Sequence, residues 1–494
     1  MLGVRSSRVT GEAISPRPGT GRRLLANSFY GLLAEGASKA IALALFLVMV
    51  RELRPAGYGI FAFAMTLTSL VMTVGQFGQD QVLVREVAPA PERLREYFGN
   101  TLALKSLAAL PTLLLTLTVV ALTSSTVTTQ AVLWLSVGGL AELLISTSLA
   151  SYQAFERLKF VPIVRIVERL LVVLVGIPLL LSGGGVVAIA AVYAAGAWVA
   201  ALLSLALLHR ITPIGFTFTP STWPALIRLS LPVGVAGLLA SALFRLDVPL
   251  LALFENSAVV GEYGAAYRLL DTTLFISFAV TAAAYPVFCR LTPDSAPPVG
   301  LVFKMSLKLL LAITLPIAVA LEVLAGSIVS TLFGAGYGGS VSVLRLLAPS
   351  VALFPIVLLT GMLLIGRDQA KVVTKIYAVG TLANLVLNLA LIPILSLFGA
   401  ALTTSVCELG LAVGLLLAAR GESHGASWGR VALGPAIASA AMGVLVWLMR
   451  DDLVVALIAG GLLYLVALTA IERLMFPGDL GVLRGFLTRR GWAS

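Results

Sequence analysis

Ten ionisable side chains interrupt otherwise apolar stretches of this sequence, and they are its main source of chemistry. Four are cationic (Lys39, Arg245, Arg268 and Arg345) and six are acidic (Glu35, Glu142, Asp247, Asp271, Glu322 and Glu408). A charge near the centre of a membrane helix costs about 2.5–3.5 kcal/mol. Ten such charges facing lipid would cost roughly 25–35 kcal/mol, against a net folding stability of about 5–15 kcal/mol. The ten must therefore face one another or water, which predicts a polar cavity inside a helical bundle.

Spacing suggests some partners. Glu35 and Lys39 stand four apart and Arg268 and Asp271 three apart, so each pair shares a helix face. Arg245 and Asp247 are two apart and diverge, and Glu142 and Glu408 have no local partner. One reading makes all of these ion pairs that fix the bundle. The other is a cationic cavity for an anionic ligand, because guanidinium forks match phosphate oxygens. In that second reading Lys39, Arg245, Arg268 and Arg345 line the cavity, and Arg51 and Arg54 stand at its outer mouth. Glu35, Asp247, Asp271 and Glu322 are then candidates for coupling to an ion. Asn384 and Asn388 share one helix face and suit either sugar hydroxyls or packing between helices.

The elements that must position these residues are membrane helices. The 494 residues are 59% hydrophobic and 12% charged with a mean hydropathy of +1.02, which excludes an ordinary soluble protein. Apolar runs predict fourteen spans, from 28–50 and 58–79 to 431–449 and 453–471. Most of the 34 lysines and arginines fall in the two tails and the even-numbered loops. Only Arg51, Arg54 and Arg450 lie on the opposite side. The net charge of +11 thus reflects membrane topology rather than nucleic acid, and it predicts both termini in the cytosol. The expected domains are a disordered cytosolic tail (1–26), an N-lobe of six spans (27–210), a C-lobe of six more (225–420), a helix pair (430–473) and a cytosolic tail (474–494). Pro55 and Gly57-Tyr58-Gly59 predict a tight turn between the first two spans. The signature returns as Val260-Gly261-Glu262-Tyr263-Gly264, which predicts one bundle written twice.

Other chemistry is scarce. Nothing reads as a nucleotide-binding P-loop, and Gly334 to Gly339 is expected to be a flexible loop. Cys289 and Cys407 lie at or within apolar helices with no disulfide framework. His209 and His424 fall in loops, so no metal site is readable and no cofactor is expected.

The segment from Arg51 reads R-E-L-x-P-x-x-Y-G-I-F, and Gly78 to Glu86 reads G-x-D-x-x-L-V-R-E. Together they resemble the start of polysaccharide flippases, the O-antigen-type lipid-linked oligosaccharide exporters of the multidrug/oligosaccharidyl-lipid/polysaccharide superfamily. The similarity runs from about Asn27 to about Arg420. It implies a transporter, not an enzyme, that moves polyprenyl-diphosphate oligosaccharides to the outer leaflet of the cytoplasmic membrane by alternating access of two lobes. Cation coupling is expected in part of the superfamily. Membrane lipids and the glycosyltransferases or polymerase of the same pathway are the implied partners. A lipid II-type flippase and a multidrug/cation antiporter are the alternatives within the superfamily. A membrane glycosyltransferase or polymerase would need larger outer loops than this sequence has.

Overall fold

The computed structural model describes residues 20–291, 295, 298–421 and 428–476, with side chains for Lys39, for 41–421 less the gaps just named, and for 431–476. Residues 1–19 and 477–494, and with them most of both expected tails, lie outside the described residues, as does His424. Every regular element described is helical. Two antiparallel helices open the chain, α1 (20–53) and α2 (55–76). Arg54 separates them with φ 54° and ψ 176°, outside helical space. The ring of Phe46 lies 5.7 Å from that of Tyr58. Twelve residues of continuous helix would hold them about 18 Å apart, so the chain folds back at Arg54. The turn therefore falls three residues before the expected Gly57-Tyr58-Gly59, with Pro55 at the first position of α2, where its missing N–H costs nothing.

There follow α3 (Gln79–Val87), α4 (Leu94–Thr123), α5 (Thr126–Ala154), α6 (Phe160–Leu181) and α7 (Val186–His209). The C-terminal half holds α8 (Trp223–Arg245), α9 (Asp247–Phe254), α10 (Ser257–Asp271), α11 (Leu274–Arg290), α12 (Val299–Val323), α13 (Ala325–Leu332), α14 (Gly338–Gly366), α15 (Ala370–Leu395) and α16 (Leu397–Ala418). A final pair is α17 (Trp428–Leu448) and α18 (Leu453–Met475). By length and hydropathy, twelve segments among the described residues can cross a membrane. The expected fourteen differ for two physical reasons. Ile41–Gln76 counts as one segment although it folds back at Arg54, and α6 carries Arg165, Glu168 and Arg169, too much charge for an ordinary span.

The glycines of the repeated signature do more than permit a turn. A Cβ on Gly59 would lie 1.7 Å from the Ser257 carbonyl oxygen, and one on Gly261 would lie 1.9 Å from that of Pro55. Only glycine lets α2 and α10 touch backbone to backbone there. At the other end of α2, a Cβ on Gly78 would meet the Gly234 nitrogen at 2.7 Å. The two halves thus meet at both ends of one helix. Near the Gly59 end, Tyr337 Oη donates to Val50 O at 2.8 Å, and Glu262 accepts from the Gly339 N–H. The glycine-rich segment is consequently held in place, with positive φ at Gly334 and Gly336. Lys308 on α12 pairs with Glu472 on α18 at 2.6 Å, which ties the terminal pair to the C-terminal half.

Candidate functional site

The charged residues of the interior fall into separate groups. The first lies where the two halves face each other. α10 ends at Asp271, and Thr272 and Thr273 turn their hydroxyls back onto the carbonyls of Leu269 and Leu270. The break leaves Arg268 and Asp271 on its last turn, paired at 3.2 Å and both about two-fifths exposed (42% and 36%). Across from them, Tyr58 of α2 lies within electrostatic reach of Arg268 and Asp271. Tyr193 of α7 is within reach of Arg268 and also of Glu168 and Arg169 on α6. Behind these, Arg165 grips Glu142 with a two-pronged contact of 2.6 and 2.9 Å and reaches Glu168 at 3.1 Å. Arg245, exposed at the end of α8, donates to Ser69 Oγ on α2 at 2.9 Å. Both halves therefore contribute cations to one facing surface.

The second group is buried within the C-terminal half. Asp247 opens α9 at the bend after Leu246, fully inside the bundle. Its carboxylate accepts from Tyr263 Oη at 2.8 Å, Asn388 Nδ2 at 2.7 Å and Thr404 Oγ1 at 2.6 Å. Asn388 also donates to Asn384 Oδ1 at 3.0 Å, while its own Oδ1 is buried without a donor. Helices α9, α10, α15 and α16 thus converge an acceptor-rich cluster, in which one oxygen lacks the hydrogen bond that buried polar atoms normally make. A proton or a monovalent cation would supply what is missing. Asn384 and Asn388 belong to this cluster, both fully buried.

The remaining expected residues scatter. Arg345 and Glu322 share a different cleft, with Arg450, at the end of the bundle where α17 turns into α18. Arg51 donates to the carbonyls of Leu332 (2.9 Å) and Thr331 (2.5 Å), the unpaired C-terminal oxygens of α13. Arg54 is exposed at the fold-back. Lys39 is half-buried, and the side chain of Glu35 lies outside the described residues. Glu408 is buried, with Oε2 lacking a partner. Sequence reasoning missed Arg165, Glu168 and Arg169, whose place near the start of a span made them read as loop charges. It also missed Lys105, fully buried in the N-terminal half between Asp80, Ser146 and Thr147. A lysine eleven residues into an apolar helix was the available signal.

A family model described as polysaccharide biosynthesis protein matches residues 24–292, more than half of the chain. The chain belongs to that family. In three dimensions the family member is similar to the lipid II flippase MurJ in an inward closed conformation, with a TM-score of 0.76 at 14% identity, over 89% of this chain and 98% of that one. It is also similar to an inward-facing multidrug resistance MATE transporter of the MOP superfamily, with a TM-score of 0.60 at 16% identity, over 79% and 96%. An outward-facing MATE structure gives a TM-score of 0.52 at 17% identity, over 79% and 94%. Comparison with curated protein sequences returns no match. The fold is shared with these flippase and transporter structures.

Proposed function

We propose that this chain is a flippase that carries a polyprenyl-diphosphate-linked oligosaccharide across the cytoplasmic membrane, for assembly of a cell-surface polysaccharide. The observation that carries this reading is the surface between the halves. Arg268 from one half and Arg169 from the other both lie within electrostatic reach of Tyr193, Arg245 stands farther along α2 at Ser69, and Arg169 has no carboxylate within 4 Å among the described residues. Opposed guanidiniums from two bodies can hold a diphosphate, and rocking the bodies then exposes it to either side. The charge asymmetry of the loops supports cytosolic termini, so that loading is cytosolic. Asp247 and its oxygens supply the coupling ion's place. The pathway's glycosyltransferases or polymerase are the partners this reading implies.

The test is transport of a fluorescent polyprenyl-diphosphate glycan in reconstituted vesicles. Arg169→Gln and Arg268→Gln should each slow flipping about tenfold or more, the usual consequence of losing one charge-assisted bond. Undiminished flipping in both variants refutes the cavity. A lipid II-type substrate is the second reading, favoured by the extent of the MurJ likeness. Competition between the two lipids in the same assay separates them.

A further inference from the structure

The cleft at Arg345 belongs to neither polar group described above. It has a volume of about 410 Å³ and is lined by Glu322, Gly326, Ser327, Arg345, Trp447 and Arg450. Three separate segments build it. α12 stops at Val323 and the chain bends at Leu324 into α13. Ser327 Oγ then donates to the Arg450 carbonyl at 2.7 Å, which ties that bend to the turn of the terminal pair. The Arg450 guanidinium sits 5.3 Å over the Trp447 ring, a contact that directs it and holds it in place. Arg345 comes from α14, seven residues beyond Gly338, or about 10 Å of helix rise. The cleft therefore lies within about two helical turns of the end of α14, and Trp447 stands near the end of its span, where interfacial tryptophans gather.

Its charges are unspent. Neither Arg345 nor Arg450 has a carboxylate within 4 Å among the described residues, although Glu322 shares the cleft. An arginine that only snorkels to water needs no fixed direction. Here one guanidinium is held over a ring, and the other, exposed on α14, opens into the same cleft. Gly326 leaves open space on the wall, since a Cβ there would meet no atom within 4 Å. Two guanidiniums and one carboxylate across such a space match a phosphate that carries its own donor. The guanidiniums take the phosphate oxygens, and the carboxylate accepts from an ammonium or hydroxyl.

We propose that this cleft, lined by Arg345, Arg450 and Glu322, is a binding site for a phosphate-bearing headgroup of the phosphoethanolamine or phosphoglycerol type. The site does not depend on the transport reading, and its test measures no transport. The purified full chain in neutral detergent is titrated with phosphatidylethanolamine, phosphatidylglycerol, phosphatidylcholine or inorganic pyrophosphate. Thermal unfolding and lipid adducts in native mass spectrometry are followed. The first two lipids should raise the unfolding temperature more than phosphatidylcholine, whose choline gives Glu322 no donor. Arg345→Gln with Arg450→Gln should weaken that binding about tenfold or more. Gly326→Phe should also block it while keeping every charge, and equal unfolding temperatures without lipid establish that both variants fold. Stabilisation by pyrophosphate but by no lipid overturns the headgroup assignment. The proposal is overturned if nothing stabilises the wild type, or if it binds no better than the double variant and Gly326→Phe.

Discussion

Two buried ionisable clusters, Lys105 in the N-terminal half and Asp247 in the C-terminal half, are built to opposite specifications. In the N-terminal half the buried group is a cation. Lys105 has three donors and three acceptors to receive them: Asp80, with Ser146 Oγ and Thr147 Oγ1 both at 2.9 Å. Nothing is left over. In the C-terminal half the buried group is an anion, and its surroundings are one donor short, because Asn388 Oδ1 is buried without a partner. A saturated cluster rigidifies its half, while an under-supplied one is stable only if something else arrives. The difference fits Lys105 to the scaffold and agrees with the proposed ion site at Asp247.

The largest expected effect falls on the saturated side. Lys105→Met strands Asp80, whose side chain is only 21% exposed. Breaking a buried pair costs about 3–5 kcal/mol, so thermal unfolding in detergent should shift strongly. Lys105→Met with Asp80→Asn should recover most of the loss, as removing both charges usually does. No recovery would mean that the lysine does more than neutralise Asp80.

The opposite pattern is expected at Asp247. Asp247→Asn keeps the shape, and once the Asn388 amide turns over, the new amide donates to the formerly orphan Asn388 oxygen. Stability should stay within about 1 kcal/mol of the wild type, while ion-dependent flipping in vesicles falls about tenfold or more. A large stability loss with the ion dependence retained would erase the contrast between the clusters.

How much of this was legible depended on which neighbour mattered. Apolar run length disclosed the helices, and the Arg268–Asp271 pair followed from spacing, because both depend on residues a few positions away. The fold-back was placed near Gly57 because glycine usually marks turns. Those glycines are needed instead for the crossing of α2 with α10, some two hundred positions on, which no local pattern contains. Arg345 was grouped with Arg245 and Arg268 by helix depth alone, and depth does not fix the direction in which a side chain leaves its helix. Lys105 was hidden because charges near span ends normally report topology; its partners Ser146 and Thr147 belong to the next helix.

Arg268 and Asp271 lie between the two extremes and sharpen the comparison with the smallest effect on stability. Their side chains are 42% and 36% exposed, so the pair is screened by water, and exposed pairs contribute only about 0.2–1 kcal/mol. Arg268→Gln, Asp271→Asn and the double variant should therefore unfold at nearly the wild-type temperature. Transport gives the informative reading. If the pair is scaffold like Lys105–Asp80, the double variant should flip substrate as well as the wild type, because the charges only balanced each other. If Arg268 meets the diphosphate, both Arg268→Gln and the double variant should be slowed about tenfold. Arg268→Lys should then recover part of the rate, since an ammonium attracts the diphosphate but cannot reproduce the planar fork. Coupling measured through the cycle is a difference of differences, so it survives any uniform loss from reconstitution. Stable protein with transport still lost in the double variant is the expected result.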